Sequence, residues 1–257
     1  MNEPVEAAYA LVRERFPEAV AAFLGGSTAR GQGTATSDLD VVVILPEPAE
    51  VYRETVAWAG RPAELFVHTA ASIRTMFDWD RANGAPIMSF MCAHGVVLLD
   101  LDGTAGRIRA QAARTIADGP LPPDPAVLAA KRYLVTDLRD DLLDCTDPDE
   151  LLAVATALLD GAADLLAVGT GHWHGRGKWL PRWLRAADPA LAGALLTGCR
   201  TLLGGGPRAP FADAVAAVLD RVGGPLREGD HRPAGPALLA GPAGLRPCPA
   251  RSGSTGS

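Results

Sequence analysis

Apolar residues recur at helical spacing in some segments of this chain and form short, β-branched runs in others. Helical spacing over residues 5–16 predicts a first helix, which ends before Pro17. Apolar runs over 19–24 and 38–45 predict two strands, the second of which is stopped by Pro46. The remaining predictions up to residue 118 are a helix over 49–59, strands over 63–68 and 95–99, and a helix from 104. This half of the chain therefore mixes strands with helices.

The second half of the chain has only helical patterning, after a proline-dense segment at 119–125. Five helices are predicted, over 126–144, 149–168, 178–186, 189–203 and 210–222. We therefore expect two domains, at 1–118 and 126–222. The remaining stretch, 223–257, is rich in Gly and Pro and has no sustained period, which is typical of a disordered or loosely attached tail.

The charge balance narrows the class of ligand. The 257 residues include 24 Lys and Arg against 30 Asp and Glu, a formal net charge of −6. A general nucleic-acid binder needs a basic surface to displace counterions from phosphates, so no nucleic-acid partner is expected. A nucleotide substrate is still compatible with an acidic protein, because a bound divalent metal can supply positive charge locally.

Cysteine usage and hydropathy favour a cytoplasmic protein that does not cross a membrane. The four cysteines are scattered and lack the spacing of a metal or disulfide framework, which predicts reduced thiols. The N-terminal segment carries Glu and Arg where a signal peptide would have an apolar stretch. The longest apolar stretch, 151–168, is interrupted by Asp160, Gly161 and Asp164, so it is predicted to be a core helix.

Three chemical features coincide between residues 24 and 45. Gly25, Gly26 and Ser27 stand between a predicted strand and a helix start, where backbone N–H groups and a hydroxyl can face a phosphate. Asp38 and Asp40 are two apart on a predicted strand, so their side chains leave the same face. Two carboxylates beside a phosphate-binding turn can hold Mg²⁺ against a polyphosphate. The polar spacer between the two parts can bring them together.

The order strand, Gly-Ser, spacer, Asp-x-Asp, strand resembles the signature of the nucleotidyltransferase superfamily that includes polymerase beta and the kanamycin-type antibiotic adenylyltransferases. Gly26-Ser27 and Asp38-Leu39-Asp40 carry the resemblance, and Ala29-Arg30-Gly31 with Ser37 matches the form of the small bacterial members. The resemblance is specific over 24–45, and element order supports it to about residue 118. It implies an α+β domain, with a mixed β-sheet and flanking helices, followed by an all-α helical bundle.

The same resemblance implies a metal-dependent transfer of a nucleoside monophosphate from a nucleoside triphosphate, with release of pyrophosphate. Two Mg²⁺ ions would be held by Asp38, Asp40 and a third carboxylate, for which Glu64 on the next predicted strand is the best candidate. Asp78 and Asp80 are rivals, but their helix-like context favours surface charges. The residues implied to bind the nucleotide are Gly25, Gly26, Ser27, Arg30, Ser37, Lys178 and Arg182.

Lys178 and Arg182 belong to a basic, tryptophan-rich segment at 171–183, which resembles the Gly-Lys segment that closes over the nucleotide in antibiotic adenylyltransferases. The alternative is that its tryptophans are packing anchors with the cations beside them. His172 and His174 lack a third ligand and are interpreted as loop residues rather than a metal site. The general base for the acceptor hydroxyl stays open among seven acids of the helical half: Asp137, Asp140, Asp141, Asp144, Glu150, Asp160 and Asp164.

One further motif points to a different chemistry. Residues 96–104 resemble the strand and Asp-x-Asp-Gly-Thr of haloacid-dehalogenase-type phosphatases, with Asp100 as the nucleophile and Asp102 as the acid or base. That motif normally opens a large α/β domain, whereas only helical and linker patterns follow it here. A strand that ends in an Asp-Gly turn explains these residues equally well.

The leading hypothesis is the transfer of AMP from ATP, or of another nucleotide from its triphosphate, to a hydroxyl of a small molecule. A cationic acceptor such as an aminoglycoside-like antibiotic suits an acidic cleft between domains, and the net charge gives this mild support. An alternative is an antitoxin-type nucleotidyltransferase that modifies a protein partner, although minimal antitoxins often lack a helical second domain. A catalytically silent nucleotide-binding module is disfavoured by the complete Gly-Ser and Asp-x-Asp set. The oligomeric state stays open.

Overall fold

Helices cover both faces of a five-stranded sheet in the N-terminal part of the chain. The computed structural model describes residues 3–31, 33 and 37–228. The N-terminal elements are α1 Glu3–Arg15, β1 Ala21–Leu24, α2 Gly26–Ala29, β2 Leu39–Leu45, β3 Tyr52–Trp58, β4 Arg61–Thr69, α3 Ala70–Asn83, α4 Met88–His94, β5 Val96–Asp100 and α5 Thr104–Asp118. The strand order is β3-β4-β2-β1-β5, with β2 and β4 parallel and the other neighbouring pairs antiparallel.

Strand β2 is the centre of this sheet and is buried on both faces, which explains its continuous β-branched run. Val41 and Val43 pack in the cluster that includes α1. Val42 and Ile44 pack on the opposite face, in the cluster formed with α3, α4 and α5. Because side chains alternate along a strand, Asp40 leaves β2 on this second face, at the end where the strand begins.

The predicted helix over 49–59 is wrong, because this segment forms strand β3. Its even-numbered residues from Tyr52 to Trp58 are half-buried and the residues between them are exposed, which is the period of two of a strand. An antiparallel hairpin joins β3 to β4 through Ala59 and Gly60, both with positive φ. The hairpin pairing, rather than local helix propensity, therefore determines the structure here.

The C-terminal part of the chain is helical, so the predicted α+β region followed by a helical region is confirmed. The elements are α6 Pro125–Asp144, α7 Pro148–Thr170, a short 3₁₀ turn at Gly177–Trp179, α8 Leu180–Ala187, α9 Pro189–Leu203 and α10 Ala209–Arg221. Three of these helices begin with an aspartate cap followed by proline: the side chains of Asp124, Asp147 and Asp188 accept backbone N–H bonds. The domain limits at 118 and 126 stay a prediction.

Helix α7 lies in the core of the helical region. Its buried residues include Leu158, Leu165 and Leu166, which pack with Phe211 and Val215 of α10. Among the described residues it is also the one helix long and apolar enough to cross a membrane by length and composition. Core helices of soluble proteins meet the same criterion, and the core contacts explain the apolar composition of α7.

The first residues after α10 run back along α6. The Arg132 guanidinium donates to the carbonyls of Gly223 and Gly224, and the amide of Leu226 donates to Thr136 Oγ1 at 3.0 Å. Arg227 pairs with Asp140 at 2.9 Å. The beginning of the predicted tail is therefore attached, and residues 229–257 of it lie outside the described residues.

Candidate active site

Three carboxylates meet at the ends where β2 and β4 begin. In the parallel register Asp40 is the direct partner of Glu64, so both side chains leave the same face of neighbouring strands. Asp38 lies two residues before Asp40 and joins them. One carboxylate oxygen of each residue lies within 4.8 Å of the other two. The structure thus brings together the three acids that the sequence singled out.

The glycine turn after β1 sits directly against this cluster. Gly26 has φ +67°, and a Cβ built on it would lie 1.8 Å from Asp40 Oδ2. The amide of Gly25 donates to the Asp40 carbonyl at 2.7 Å, and Thr28 Oγ1 donates to the Asp38 carbonyl at 3.0 Å. Only glycine provides both the left-handed conformation and the space at position 26. The turn and the carboxylates are therefore one structural unit.

Ser27 and Ser37 also come together, because their hydroxyls lie 3.4 Å apart across the spacer that separates them in the sequence. Ser27 belongs to α2, whereas Ser37 precedes Asp38. Ser27 directly follows Gly26, which lies against Asp40, so both predicted nucleotide-binding serines adjoin residues of the site in the chain.

The electrostatics of the cluster favour a bound cation. Burial, Asp38 and Glu64 together raise the pKa of Asp40 to about 6, and only partial compensation comes from Lys178 and Arg53. Arg53 Nη2 lies 2.8 Å from Glu64 Oε1 and forms an ion pair with it. Three converging carboxylates are an oxygen donor set that suits Mg²⁺, and a cation would relieve their mutual repulsion. The residues present therefore fit a divalent metal.

A cation–aromatic wall stands beside the acids. The Arg30 guanidinium lies 4.4 Å from the ring centre of Trp179 and 5.8 Å from that of Phe90, and Arg182 lies 4.8 Å from Trp179. Burial, and secondly the charge of Arg182, lower the pKa of Arg30. Arg30 Nη2 is buried and has no hydrogen-bond partner among the described residues. Trp183 stacks on Trp179 at 6.4 Å between ring centres.

Two cavities share this wall. The smaller, of about 300 Å³, is lined by Arg30, Phe90, Trp179, Arg182, Trp183 and Ala186. The larger, of about 670 Å³, extends from the carboxylates towards α3 and α4. Its volume lies in the range of roughly 300–1,000 Å³ that is typical of small-molecule sites. The larger cavity is lined by Gly26, Arg30, Asp40, Arg53, Glu64, Phe66, Trp79, Asn83, Ala85, Pro86, Ile87, Phe90, Met91, His174, Gly175, Arg176, Trp179 and Trp183.

Several of these lining residues were missed by sequence reasoning. Arg53 was hidden by the wrong helix prediction for β3, although the alternation of that segment is a usable signal. Phe90 lies on α4, a short helix that no pattern predicts, and Trp79 lies between Asp78 and Asp80 in the helix-like stretch that forms α3. Nothing local marks them as cavity residues, because the cavity joins segments about a hundred positions apart in the chain.

Lys178 and Arg182, the two cations predicted from the tryptophan-rich segment, both lie close to the site. Lys178 is exposed, yet it is near enough to lower the pKa of Asp40. Arg182 is exposed and borders the smaller cavity, over the ring of Trp179. Trp179 and Trp183 pack against Phe90, as the packing interpretation expects, and contact of this segment with a nucleotide stays a prediction.

The interpretation of Asp80 as a surface charge is wrong, although Asp78 is exposed. Asp80 is fully buried and accepts bonds at 2.7 Å from both the amide and the hydroxyl of Ser89. Burial raises its pKa. Its role is to hold the start of α4 against α3, because it sits on the apolar face of α3 with Ile73 and Phe77. Helical periodicity places Asp80 on the buried face of α3 with Ile73 and Phe77, but an aspartate is normally expected on the surface.

Of the seven candidate general bases, Asp164 is linked to the cavity lining. It forms an ion pair with Lys131, and its Oδ1 lies 3.7 Å from Nε2 of His174, which lines the larger cavity. The same Nε2 lies 2.9 Å from the Asn83 carbonyl. His174 is thus fixed between the two parts of the chain. His172 is exposed in the same loop, in hydrogen-bond contact with Thr170.

The phosphatase-like motif has a local structural explanation. Asp100 accepts backbone N–H bonds from Ala105 and Gly106, and Asp102 accepts from both the amide and the hydroxyl of Thr104. Both carboxylates therefore cap the start of α5 after β5, an edge strand. This arrangement is the turn that the alternative reading expected.

One family model matches the part of the chain that holds the site. Residues 10–71 match the family described as the nucleotidyltransferase domain, a segment that holds the glycine turn and all three carboxylates. The match supports nucleotidyl transfer as the chemistry of this segment. No curated protein matches the chain. A solved structure of a nucleotidyltransferase-like protein from Exiguobacterium sibiricum is similar over 84% of this chain and 74% of its own, at 14% identity and a TM-score of 0.43.

Proposed function

We propose that this protein transfers a nucleoside monophosphate, AMP from ATP in the first instance, to a hydroxyl group of a small molecule and releases pyrophosphate. The observation that carries the proposal is the meeting of Asp38, Asp40 and Glu64 within 4.8 Å, against the Gly26 turn. The match of residues 10–71 to the nucleotidyltransferase domain supports the same chemistry. The adjoining cavity, of about 670 Å³, has the size of a small-molecule site.

The three carboxylates would hold Mg²⁺, with two ions as the expected number. Magnesium bound there would neutralise charge on the triphosphate and lower the pKa of the acceptor hydroxyl. The chain's own residues bind and orient the nucleotide. Arg30 offers a buried, unpartnered Nη2 to a phosphate oxygen, and Lys178 and Arg182 add positive charge from the helical side.

Positioning accounts for much of the rate in phosphoryl transfer, because little covalent work falls to the protein. The Gly26 turn holds the backbone against Asp40 so closely that no side chain intervenes. A phosphate can therefore approach both the amides of the turn and the carboxylate cluster. The ion pair with Arg53 holds the carboxylate of Glu64, the residue opposite Asp40 in the strand register.

The acceptor class that the sequence resemblance favours is an aminoglycoside-like antibiotic, which would give the protein a role in antibiotic resistance in the cytoplasm. The antitoxin-type alternative replaces this acceptor with a protein. Both hypotheses share the nucleotide chemistry, and the acceptor alone distinguishes them. The experiment must therefore report on nucleotide and acceptor separately.

The test uses the full chain with Mg²⁺ and labelled ATP, CTP and GTP. Pyrophosphate release and transfer of label are measured against a panel of hydroxylated small molecules and against co-expressed proteins. We expect transfer to a small molecule, and its loss in Asp38→Asn and Asp40→Asn variants that stay folded. Label on a protein would favour the antitoxin-type alternative. The proposal is refuted if no triphosphate binds with Mg²⁺ and nothing is labelled.

A further inference from the structure

The far end of the larger cavity differs in chemistry from the end that holds the carboxylates. We propose that this end binds the acceptor, and that the acceptor is a hydroxylated molecule with an apolar or aromatic body and no positive charge, in place of the cationic aminoglycoside-like class that the sequence resemblance favours. The inference rests on the proposed function, because it names the second substrate of that reaction. It concerns the α3–α4 side of the cavity, which we call the acceptor end and define by Phe66, Trp79 and Ile87.

The acceptor end presents large apolar side chains to solvent. Trp79 is 48% exposed and Ile87 is 52% exposed, although both line the same concave surface. Phe66 continues this surface on β4, next to Glu64. Exposed apolar groups gathered in a cavity are typical of a ligand site, because binding removes them from water. An indole face also stacks well on a planar ring.

The charges around the acceptor end disfavour a cationic ligand. Among the described lining residues, the carboxylates are Asp40 and Glu64, and both belong to the cluster that would hold the metal. Arg53 and Arg176 line the same cavity, with Arg53 held 5.2 Å from the ring centre of Phe66. A polycation would meet these guanidinium groups, and the described lining residues offer it no acid outside the metal cluster.

The nucleotide is expected at the other end of the larger cavity, where Gly26, Arg30 and the carboxylates lie. The smaller cavity adds Arg182 to the wall that the two cavities share, so guanidinium groups suited to a triphosphate gather at that end. In-line displacement requires the acceptor hydroxyl and the leaving pyrophosphate on opposite sides of the reacting phosphorus. With the triphosphate towards Arg30 and Arg182, the acceptor hydroxyl approaches from the side of Trp79.

Trp79→Ala tests this assignment, with Tyr9→Ala as the matched control. Tyr9 is a 39% exposed aromatic residue on α1, outside the cavity lining. Anilinonaphthalene sulfonate, an apolar aromatic anion, is titrated by fluorescence into each protein in the presence of Mg²⁺ and ATP. We expect saturable binding to the unchanged protein and to Tyr9→Ala, and binding about tenfold weaker to Trp79→Ala. Equal binding by all three proteins would overturn the proposal.

Acceptor kinetics provide the second measurement. The panel contains polycationic aminoglycosides and hydroxylated aromatic or alicyclic molecules that are neutral or anionic. We expect turnover with the second group, and a Trp79→Ala variant whose KM for the acceptor rises about tenfold while its KM for ATP is unchanged. Turnover confined to the polycations would overturn the acceptor assignment and leave nucleotidyl transfer intact. Absence of ATP binding would instead contradict the proposed function itself.

Discussion

The two halves of this protein contribute to the cleft in different ways. In the sheet region Asp40 and Glu64 belong to regular strands and are opposed by the register between β2 and β4, and Asp38 directly precedes β2. In the helical region the described residues that line the two cavities come from the segment 171–183 and from Ala186, near the end of α8. The core of the helical region is formed by residues of α6 to α10, and none of its described buried residues lines either cavity.

The difference indicates a division of labour. Groups that must be placed within a fraction of an ångström are built on the sheet, where packing on both faces holds them. The cations proposed to bind the nucleotide from the helical side lie on a segment that bonds to the sheet region from Trp173 Nε1 to the Ile116 carbonyl and from His174 to Asn83 and Gly84. We expect changes in the sheet region to lower kcat and changes in the helical segment to raise KM.

Asp40→Asn is expected to have the largest effect. It removes a central carboxylate with almost no change in volume, so kcat should fall by about 10³-fold or more, while KM for ATP changes less. Steady-state kinetics measure this effect, and Asp78→Asn, which removes an exposed carboxylate nearby, is the control. A loss of less than tenfold would contradict the role of Asp40.

The same variant lowers activity but is expected to raise the stability of the metal-free protein. The pKa of Asp40 is raised from 3.8 to about 6, so between these values the folded state binds more protons than the unfolded state. The stability of the metal-free protein should therefore fall as the pH rises through this window. Asp40→Asn should have a higher Tm than the unchanged protein at pH 7, and Mg²⁺ should reverse the order. Thermal melts at pH 4–8, without and with Mg²⁺, measure both effects. A metal-free Asp40→Asn variant whose Tm at pH 7 is no higher than that of the unchanged protein would contradict the raised pKa of Asp40.

Gly26→Ala is expected to have the next largest effect, because the new methyl group would collide with Asp40 Oδ2 at 1.8 Å. Gly31→Ala is a matched control, since Gly31 has φ +66° but no atom within 4 Å of a Cβ. Left-handed strain of about 1–2 kcal/mol is common to both variants. We expect Gly26→Ala to lose at least tenfold more activity than Gly31→Ala; equal losses would show that strain alone matters.

Lys178→Ala is expected to act mainly on nucleotide binding. The loss of a positive charge near Asp40 should raise KM for ATP about tenfold and shift the acidic limb of the kcat profile to higher pH, because Lys178 lowers the pKa of Asp40. Arg185→Ala, another exposed cation on the helical side, should leave both quantities unchanged. A fall in kcat without a change in KM would contradict the expectation that the helical segment acts on nucleotide binding.

The smallest effect is expected from Trp173→Phe. The indole N–H of Trp173 donates to the Ile116 carbonyl at 3.0 Å and joins the two halves, whereas that of Trp58 donates to the Ala7 carbonyl at 2.8 Å within the sheet region. Each Phe variant should lose about 1 kcal/mol of stability, measured by denaturant unfolding. Only Trp173→Phe should also raise KM for ATP, about twofold; an equal rise in Trp58→Phe would remove the distinction.

The parts of the fold predictable from sequence are those whose determinants lie close together in the chain. Strand β2 has a continuous β-branched run, and the spacing of Asp38 and Asp40 fixes their common face. Strand β3 carries a weaker signal, because Glu54 interrupts the alternation of its apolar residues Tyr52, Val56 and Trp58, and pairing with β4 decides the structure. Short α4 has too few turns to show a helical period.

The candidate site also has one part that is predictable from nearby residues of the chain and one part that depends on tertiary contacts. Its acidic cluster lies within about 30 residues of sequence, and the position of Glu64 on the next predicted strand was sufficient to select it. The wall formed by Phe90 and Trp179 joins residues almost 90 positions apart, and the Asp80–Ser89 contact depends on burial. Such contacts are determined by tertiary packing, for which a single sequence carries no local signal.

The parallel pairing of β2 with β4 determines where this chain can change length during evolution. One residue inserted between the start of β4 and Glu64 would turn that carboxylate to the opposite face of the sheet and dismantle the acidic cluster. An insertion in the Ala59–Gly60 turn would fall outside the β2–β4 pairing and leave Asp40 opposite Glu64. Descendants of this sequence can therefore vary the hairpin tip freely, while the strand starts keep a fixed count of residues.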